Sequence, residues 1–136
     1  MMGEFLRSRL YSFRYAFAGW WYVIRTQRNA WIHAIISTLV IGMGFWLRIA
    51  PLEWAMIVLT MALVWSAEVM NTALEAVVDL ASPQHHPLAK VGKDVGAAAV
   101  LIAAAASILV GILVLGPRLL ARLNWHWLWA LFGLLE

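Results

Sequence analysis

The sequence predicts an all-α integral membrane fold in a single domain, residues 1–136, with an N-terminal amphipathic surface helix followed by three transmembrane helices. Of the 136 residues 64% are hydrophobic and only 12% are charged, which is more apolar surface than a soluble domain of this length uses. Three apolar stretches, at about 30–50, 54–79 and 88–116, each reach the roughly 20 residues that cross a bilayer as a helix. Strand-type alternation, internal repeats and low-complexity linkers are not evident. With no cysteine, packing and assembly must hold the fold without disulfides or thiolate metal sites. The net charge of +3 is spread beside apolar helices and forms no dense basic run, so anionic lipid is the expected partner and nucleic acid is not.

Residues 1–28 read as an amphipathic helix. Leu6, Leu10, Phe13, Phe17, Trp20 and Ile24 fall within an arc of roughly 80° at about 100° per residue, and Arg7, Arg9, Arg14 and Arg25 flank that stripe. Such arginines reach lipid phosphates while their stems cover apolar surface, as a helix lying on a membrane requires. The basic N-terminus lacks a short apolar core followed by a small-residue cleavage site, so insertion is expected from the spans themselves. The first span is interrupted mainly by His33 and Arg48 and closed by Pro51. In the second, Trp54 to Ala67 carries no charge, but carboxylates enter before the span is finished. After Ser82-Pro83-Gln84-His85-His86-Pro87 a third helix begins near Leu88, is apolar from Val95 to Leu115, and is expected to end at Pro117. The tail 118–136, with Trp125, Trp127 and Trp129, is too short for a further span and reads as interfacial. Arg7, Arg9, Arg14, Arg25, Arg28, Lys90 and Lys93 lie on one side of this arrangement, against Arg48, Arg118 and Arg122 on the other. That asymmetry places the N-terminus and the 80s loop in the cytoplasm.

Chemistry concentrates in the second span. Glu68, Asn71, Glu75 and Asp79 share one helical face within roughly 80°. Measured from Trp54 at about 1.5 Å per residue, Glu68 lies about 21 Å deep in a hydrocarbon core about 30 Å thick, and Glu75 about 10 Å farther on, at the cytoplasmic boundary. A buried carboxylate costs about 3 kcal/mol near a span's centre, so it needs a partner or a function. A desolvated carboxylate suits a general base for a weakly acidic alcohol; the plainer alternative is helix association through hydrogen bonds. Lys90, Lys93 and Asp94 open the third helix. Lys93 can hold a transferring phosphoryl group and Asp94 can orient the lysine or a metal, while a solvated Lys90 to Asp94 pair at i, i+4 is the bland alternative. Opposed lysine and carboxylate clusters at one boundary are the parts of a magnesium-nucleotide site, although neither a Gly-rich phosphate loop nor a protein-kinase signature is present.

The segment Glu68-Val69-Met70-Asn71-Thr72-Ala73-Leu74-Glu75-Ala76-Val77-Val78-Asp79, followed by His86-Pro87-Leu88-Ala89-Lys90-Val91-Gly92-Lys93-Asp94-Val95-Gly96, closely resembles the prokaryotic diacylglycerol kinase and undecaprenol kinase family. The resemblance covers roughly residues 5 to 116, and a two-block motif of this length is far more specific than any pair within it. It implies a homotrimer with active sites shared between subunits at the cytoplasmic face of a bacterial inner membrane, ATP as phosphoryl donor, Mg²⁺, and a membrane lipid alcohol as substrate. Residue by residue, it implies Glu68 as catalytic base, Asn71 as its positioning partner, Glu75 as magnesium ligand, Lys93 and Asp94 as nucleotide-phosphate contacts, and His86 near the nucleotide. For His86, a cap on the helix opened by Pro87 is the structural alternative.

The chain departs from the pattern at Gln27, where the family commonly has a glutamate that serves as a second metal ligand. An amide oxygen also ligates magnesium, though less strongly. His33, in the same stretch, reads as a polar anchor at a helix start rather than a ligand. Gly92, Gly96, Ala97, Ala98, Ala99, Ala103 and Ala106 allow close helix approach within or between subunits. The His86-Pro87 loop and Pro117 look more like the undecaprenol kinase branch than the diacylglycerol kinases. Two other classes compete: a small multidrug-type transporter, which also combines short length with a membrane glutamate, and a non-enzymatic scaffold. The acidic stripe with Lys93 and Asp94 at one boundary, in place of a lone midplane charge, argues against the transporter, and ATP hydrolysis coupled to lipid phosphorylation separates all three classes.

Overall fold

The computed structural model describes residues 2–123, which form four α-helices: α1 (Met2–Thr26), α2 (Arg28–Leu47), α3 (Pro51–Ala81) and α4 (Pro87–Arg122). The last three are long and apolar enough to cross a membrane. Short connections make successive spans antiparallel, and α3 packs along α4 more extensively than α2 packs on either. Large apolar side chains are exposed along all three, among them Leu39, Leu59 and Leu101. Lipid tolerates that surface, and water does not.

Each break has a local cause. Gln27 is extended at φ −100°, ψ 120° and separates α1 from α2. At the other end of α2, Arg48 adopts the left-handed conformation at φ 51°, where glycine is the usual residue. The amides of Arg48 and Ile49 return to the carbonyls of Phe45 and Gly44, both at 3.2 Å, closing a Schellman turn. Pro51 opens α3 as its first residue rather than merely ending α2, because its missing N–H is needed by no carbonyl there. Glu53 accepts from the Ala50 amide and binds Arg118 Nη2 at 2.8 Å. At the start of α4, Nδ1 of His86 accepts from the Leu88 amide at 3.2 Å.

Pro117 does not end the third span, as expected, but lies inside α4, which continues to Arg122. A helix interior normally rejects proline. Here the turns beyond it are tied down: Leu119 packs on the cluster of Leu47, Ile49, Ile57, Val114 and Leu115, Arg118 pairs with Glu53, and the Arg122 guanidinium lies 5.2 Å from the Trp46 ring. The expected tail therefore begins in helix, and its tryptophans, Trp125, Trp127 and Trp129, lie outside the described residues.

In α1, Val23 is buried, whereas Leu10, Phe13, Phe17 and Trp20 of the expected stripe are exposed on the single chain. Contact with the bundle includes Trp20 against Trp65, with ring centroids 5.9 Å apart.

Candidate functional site

Helix α3 carries the polar stripe, and its periodicity sets the order of the groups along the bundle. Glu68 is only 1% exposed. Thr72 donates to the Glu68 main-chain carbonyl at 2.9 Å, which occupies the hydroxyl and leaves the carboxylate free. Oε2 of Glu68 faces Nε2 of His33 at 3.9 Å, and neither atom has a hydrogen-bond partner among the described residues.

Two turns farther along α3, both oxygens of the Glu75 carboxylate are held by amides. Asn71 donates from Nδ2 to Oε1 at 3.1 Å, and Gln27 donates from Nε2 to Oε2 at 3.2 Å. Gln27 reaches this point because the chain leaves helical geometry there, after its own amide has bonded to the Val23 carbonyl at 2.9 Å. Asn71 is buried and its Oδ1 is unpartnered among the described residues. Gly96 of α4 lies directly against it, where a Cβ would collide with that oxygen.

At the α3–α4 turn, Lys93 binds Asp79 at 2.6 Å and Lys90 binds Asp94 at 2.5 Å. The bland alternative for Asp94 is thus the observed pairing: it sits on Lys90 within its own helix and does not orient Lys93. Asp79 does that instead. Distance from the turn does not by itself fix that partner: the connection between α3 and α4 is centred on residue 84, so equal spacing would pair 79 with 89, and the register of the two helices decides the rest. About the α2–α3 turn, centred on residue 49, equal spacing pairs His33 with Trp65, whose ring it meets, and Glu68 lies about one helical turn beyond. His86 has its Nδ1 committed to capping α4. Asp79, His86, Lys90, Lys93 and Asp94 line one polar cleft together with the 82–85 turn.

The site therefore has two levels. Gln27, Asn71 and Glu75 converge on one point, Glu68 lies about 10 Å farther from the α3–α4 turn along the helix axis, and Lys93 stands with Asp79 close to that turn. No group of three or more His, Asp or Glu side chains that could hold a metal occurs among the described residues. Magnesium does not require one, since it is commonly bound through one or two carboxylates with phosphate oxygens and water completing six positions. Glu75 is the carboxylate that would hold one such ion, in exchange for the amide donors it now accepts from. A second carboxylate-bound ion has no matching pair at Gln27.

Residues 14–115 match the family described as prokaryotic diacylglycerol kinase. The chain is 41% identical over 108 residues to an undecaprenol kinase of Bacillus subtilis (strain 168), covering 79% of this chain and 88% of that one. It is 47% identical over 113 residues to a diacylglycerol kinase of Synechocystis sp., covering 82% of this chain and 65% of that longer one. A diacylglycerol kinase of Escherichia coli (strain K12) is 34% identical over 83 residues, 56% of this chain and 68% of that one. Every site residue from Gln27 to Asp94 falls inside the family match.

Proposed function

The chain belongs to the prokaryotic diacylglycerol kinase family, and from that premise we propose that it transfers the terminal phosphate of ATP to the hydroxyl of a membrane lipid alcohol in a magnesium-dependent reaction, with undecaprenol favoured over diacylglycerol. That it is a lipid kinase with several membrane-crossing helices follows from the family and the three spans. The family match leaves no ground for the transporter or scaffold alternatives.

The observation that carries the proposed chemistry is the two-level stripe on α3: a partly buried carboxylate gripped by two amides, and a second carboxylate, almost fully buried, two turns away. In this reading the Glu68 carboxylate takes the proton from the lipid hydroxyl as that oxygen forms its bond to the terminal phosphorus and the bond from phosphorus to the ADP oxygen breaks. Asn71, about one turn from each glutamate on α3, is read as the positioning partner of Glu68, although its amide donates to Glu75. Glu75 would hold magnesium, with Gln27 as a weaker neutral contributor, and a bound ion would supply charge neutralisation to the phosphates. Lys93 leaves Asp79 to hold the transferred phosphoryl group, and Asp94 and the remaining nitrogen of the His86 ring contact the nucleotide at the cleft mouth.

The site opens to the cytoplasm by the excess of basic residues on its side of the membrane. A homotrimer is the assembly this reading needs, because a single chain supplies few groups around a nucleotide, and the exposed apolar faces of α2, α3 and α4 have room for neighbouring subunits as well as lipid. Helix α1 lies on the membrane surface with Leu10, Phe13 and Phe17 toward lipid. Preference for undecaprenol rests on the His86-Pro87 loop and Pro117, supported by similarity over nearly the full length of the B. subtilis undecaprenol kinase. Phosphate transfer from ATP to undecaprenol and to diacylglycerol in the same mixed micelles tests the proposal. Faster phosphorylation of undecaprenol is expected; a preference for diacylglycerol reverses the substrate assignment, and transfer to neither overturns the function.

A further inference from the structure

We propose that His33 is a positioning residue for Glu68, donating its Nε2–H to Oε2 of the carboxylate so that Oε1 is left to meet the lipid hydroxyl; this rests on the reading of Glu68 as the base. The buried carboxylate of Glu68 and the imidazole of His33 present unpartnered atoms to each other at 3.9 Å. That separation is about 1 Å longer than an N–H···O bond, a gap that a small side-chain rotation closes. Buried polar atoms without partners are costly, and each of these two is the other's available partner.

A polar anchor at a helix start would turn its ring toward headgroups or water. His33 does the reverse. Its side chain is 15% exposed and its Nε2 is buried, directed into the bundle. The ring's setting is built from three helices. Trp65 of α3 stands edge-on to it, with centroids 6.2 Å apart. Trp65 is fixed in turn by donating from Nε1 to Ser37 Oγ of α2 at 3.3 Å and by contact with Trp20 of α1. Such a shell holds the imidazole where a free side chain would sample several rotamers.

The chemical consequence follows from the carboxylate's two oxygens. In a water-poor site one hydrogen bond to a carboxylate both orients it and counts for more than it would in water. With Oε2 held, the other oxygen has a defined direction in which to accept the hydroxyl proton. His33 acts through Glu68 and need not touch the substrate. It is therefore expected to govern turnover and not nucleotide affinity.

Steady-state kinetics of the full chain in mixed micelles, for wild type, His33→Gln, His33→Asn, Glu68→Gln and the double variant His33→Asn with Glu68→Gln, tests this. A glutamine amide nitrogen reaches about as far as imidazole Nε2, whereas an asparagine amide does not. His33→Asn should lower kcat by about tenfold or more with KM for ATP changed by less than about twofold, and His33→Gln should restore most of that loss. The double variant should be no slower than Glu68→Gln alone, because the carboxylate that His33 serves is already gone. Equal turnover of the Gln and Asn variants, a loss confined to KM for ATP, or additive losses in the double variant would overturn the role of His33. Wild-type turnover in Glu68→Gln would instead remove the base assignment, so the two failures are separately visible.

Discussion

Gln27 donates a hydrogen bond to Glu75 at 3.2 Å across 48 positions of sequence, tying the break between α1 and α2 to the acidic stripe of α3. A glutamate at position 27 would bring a second carboxylate to that point. Without metal the two charges would repel; with magnesium both could ligate it. Gln27→Glu should therefore reach half-maximal activity at several-fold lower free magnesium, and should melt at a lower temperature than wild type in EDTA. A magnesium titration at fixed ATP checks this. A raised KM for ATP with no leftward shift would instead mark Gln27 as a donor toward phosphate.

The Glu75 carboxylate is the acceptor for both amides, Asn71 and Gln27. Glu75→Gln removes the charge and puts a third amide where one negative group organised two. Magnesium-dependent ATP binding is expected to weaken by about tenfold or more, measured by calorimetry in micelles. Glu75→Asp should fall between, since its shorter arm cannot reach both donors. Unchanged binding in both variants would move the metal elsewhere.

Spacing along one helix made Glu68, Asn71, Glu75 and Asp79 legible as a stripe, because a 3.6-residue period is a property of the chain alone. The partner of each group was harder to see, since it depends on how neighbouring helices register. Lys93 is adjacent in sequence to Asp94 yet binds Asp79, and His33 faces Glu68 across the α2–α3 hairpin. Equal spacing about the α2–α3 turn leads from His33 to Trp65, one helical turn short of Glu68, and about the α3–α4 turn it does not pair Asp79 with Lys93. Passage of α4 through Pro117 was not legible, because it depends on tertiary contacts of Arg118, Leu119 and Arg122 that outweigh a local preference. The tight fit of Gly96 on Asn71 likewise exists only after α3 and α4 have met.

Lys93 and Lys90 are three residues apart and make different kinds of contact. The Lys90–Asp94 pair is 69% and 62% exposed, and such surface pairs contribute under about 1 kcal/mol. Lys93 is less exposed, at 39%, beside an Asp79 that at 65% is as open as Asp94, and unlike Lys90 it is tied across to the other helix. Lys93→Ala should lower kcat by about 10² or more, and Lys90→Ala by less than about threefold. Comparable losses in the two variants would show that the cleft uses general positive charge in place of one positioned lysine.

Gly96 provides the sharpest link between packing and chemistry, because its missing side chain is what allows Asn71 to occupy the α3–α4 interface. A Cβ there would overlap Asn71 Oδ1 and lie 3.1 Å from Leu74 Cδ2. Asn71 is buried and cannot withdraw without releasing its 3.1 Å bond to Glu75. Overpacking of this kind costs about 1–3 kcal/mol, while replacing glycine by alanine in a helix contributes about 1 kcal/mol in the other direction. Gly96→Ala should thus be destabilised by up to about 2 kcal/mol, yet lose activity beyond what stability explains, because the displaced amide no longer orients Glu75. One turn earlier, a Cβ on Gly92 would meet only Val78 Cγ2, at an ordinary 3.6 Å, so Gly92→Ala should fold as well as wild type or better. The decisive variant combines Gly96→Ala with Asn71→Ala. Truncating Asn71 removes the atom that collides, so thermal unfolding of the double variant should show less than the sum of the two single losses. Strict additivity would mean that the two side chains do not share the space the interface assigns them.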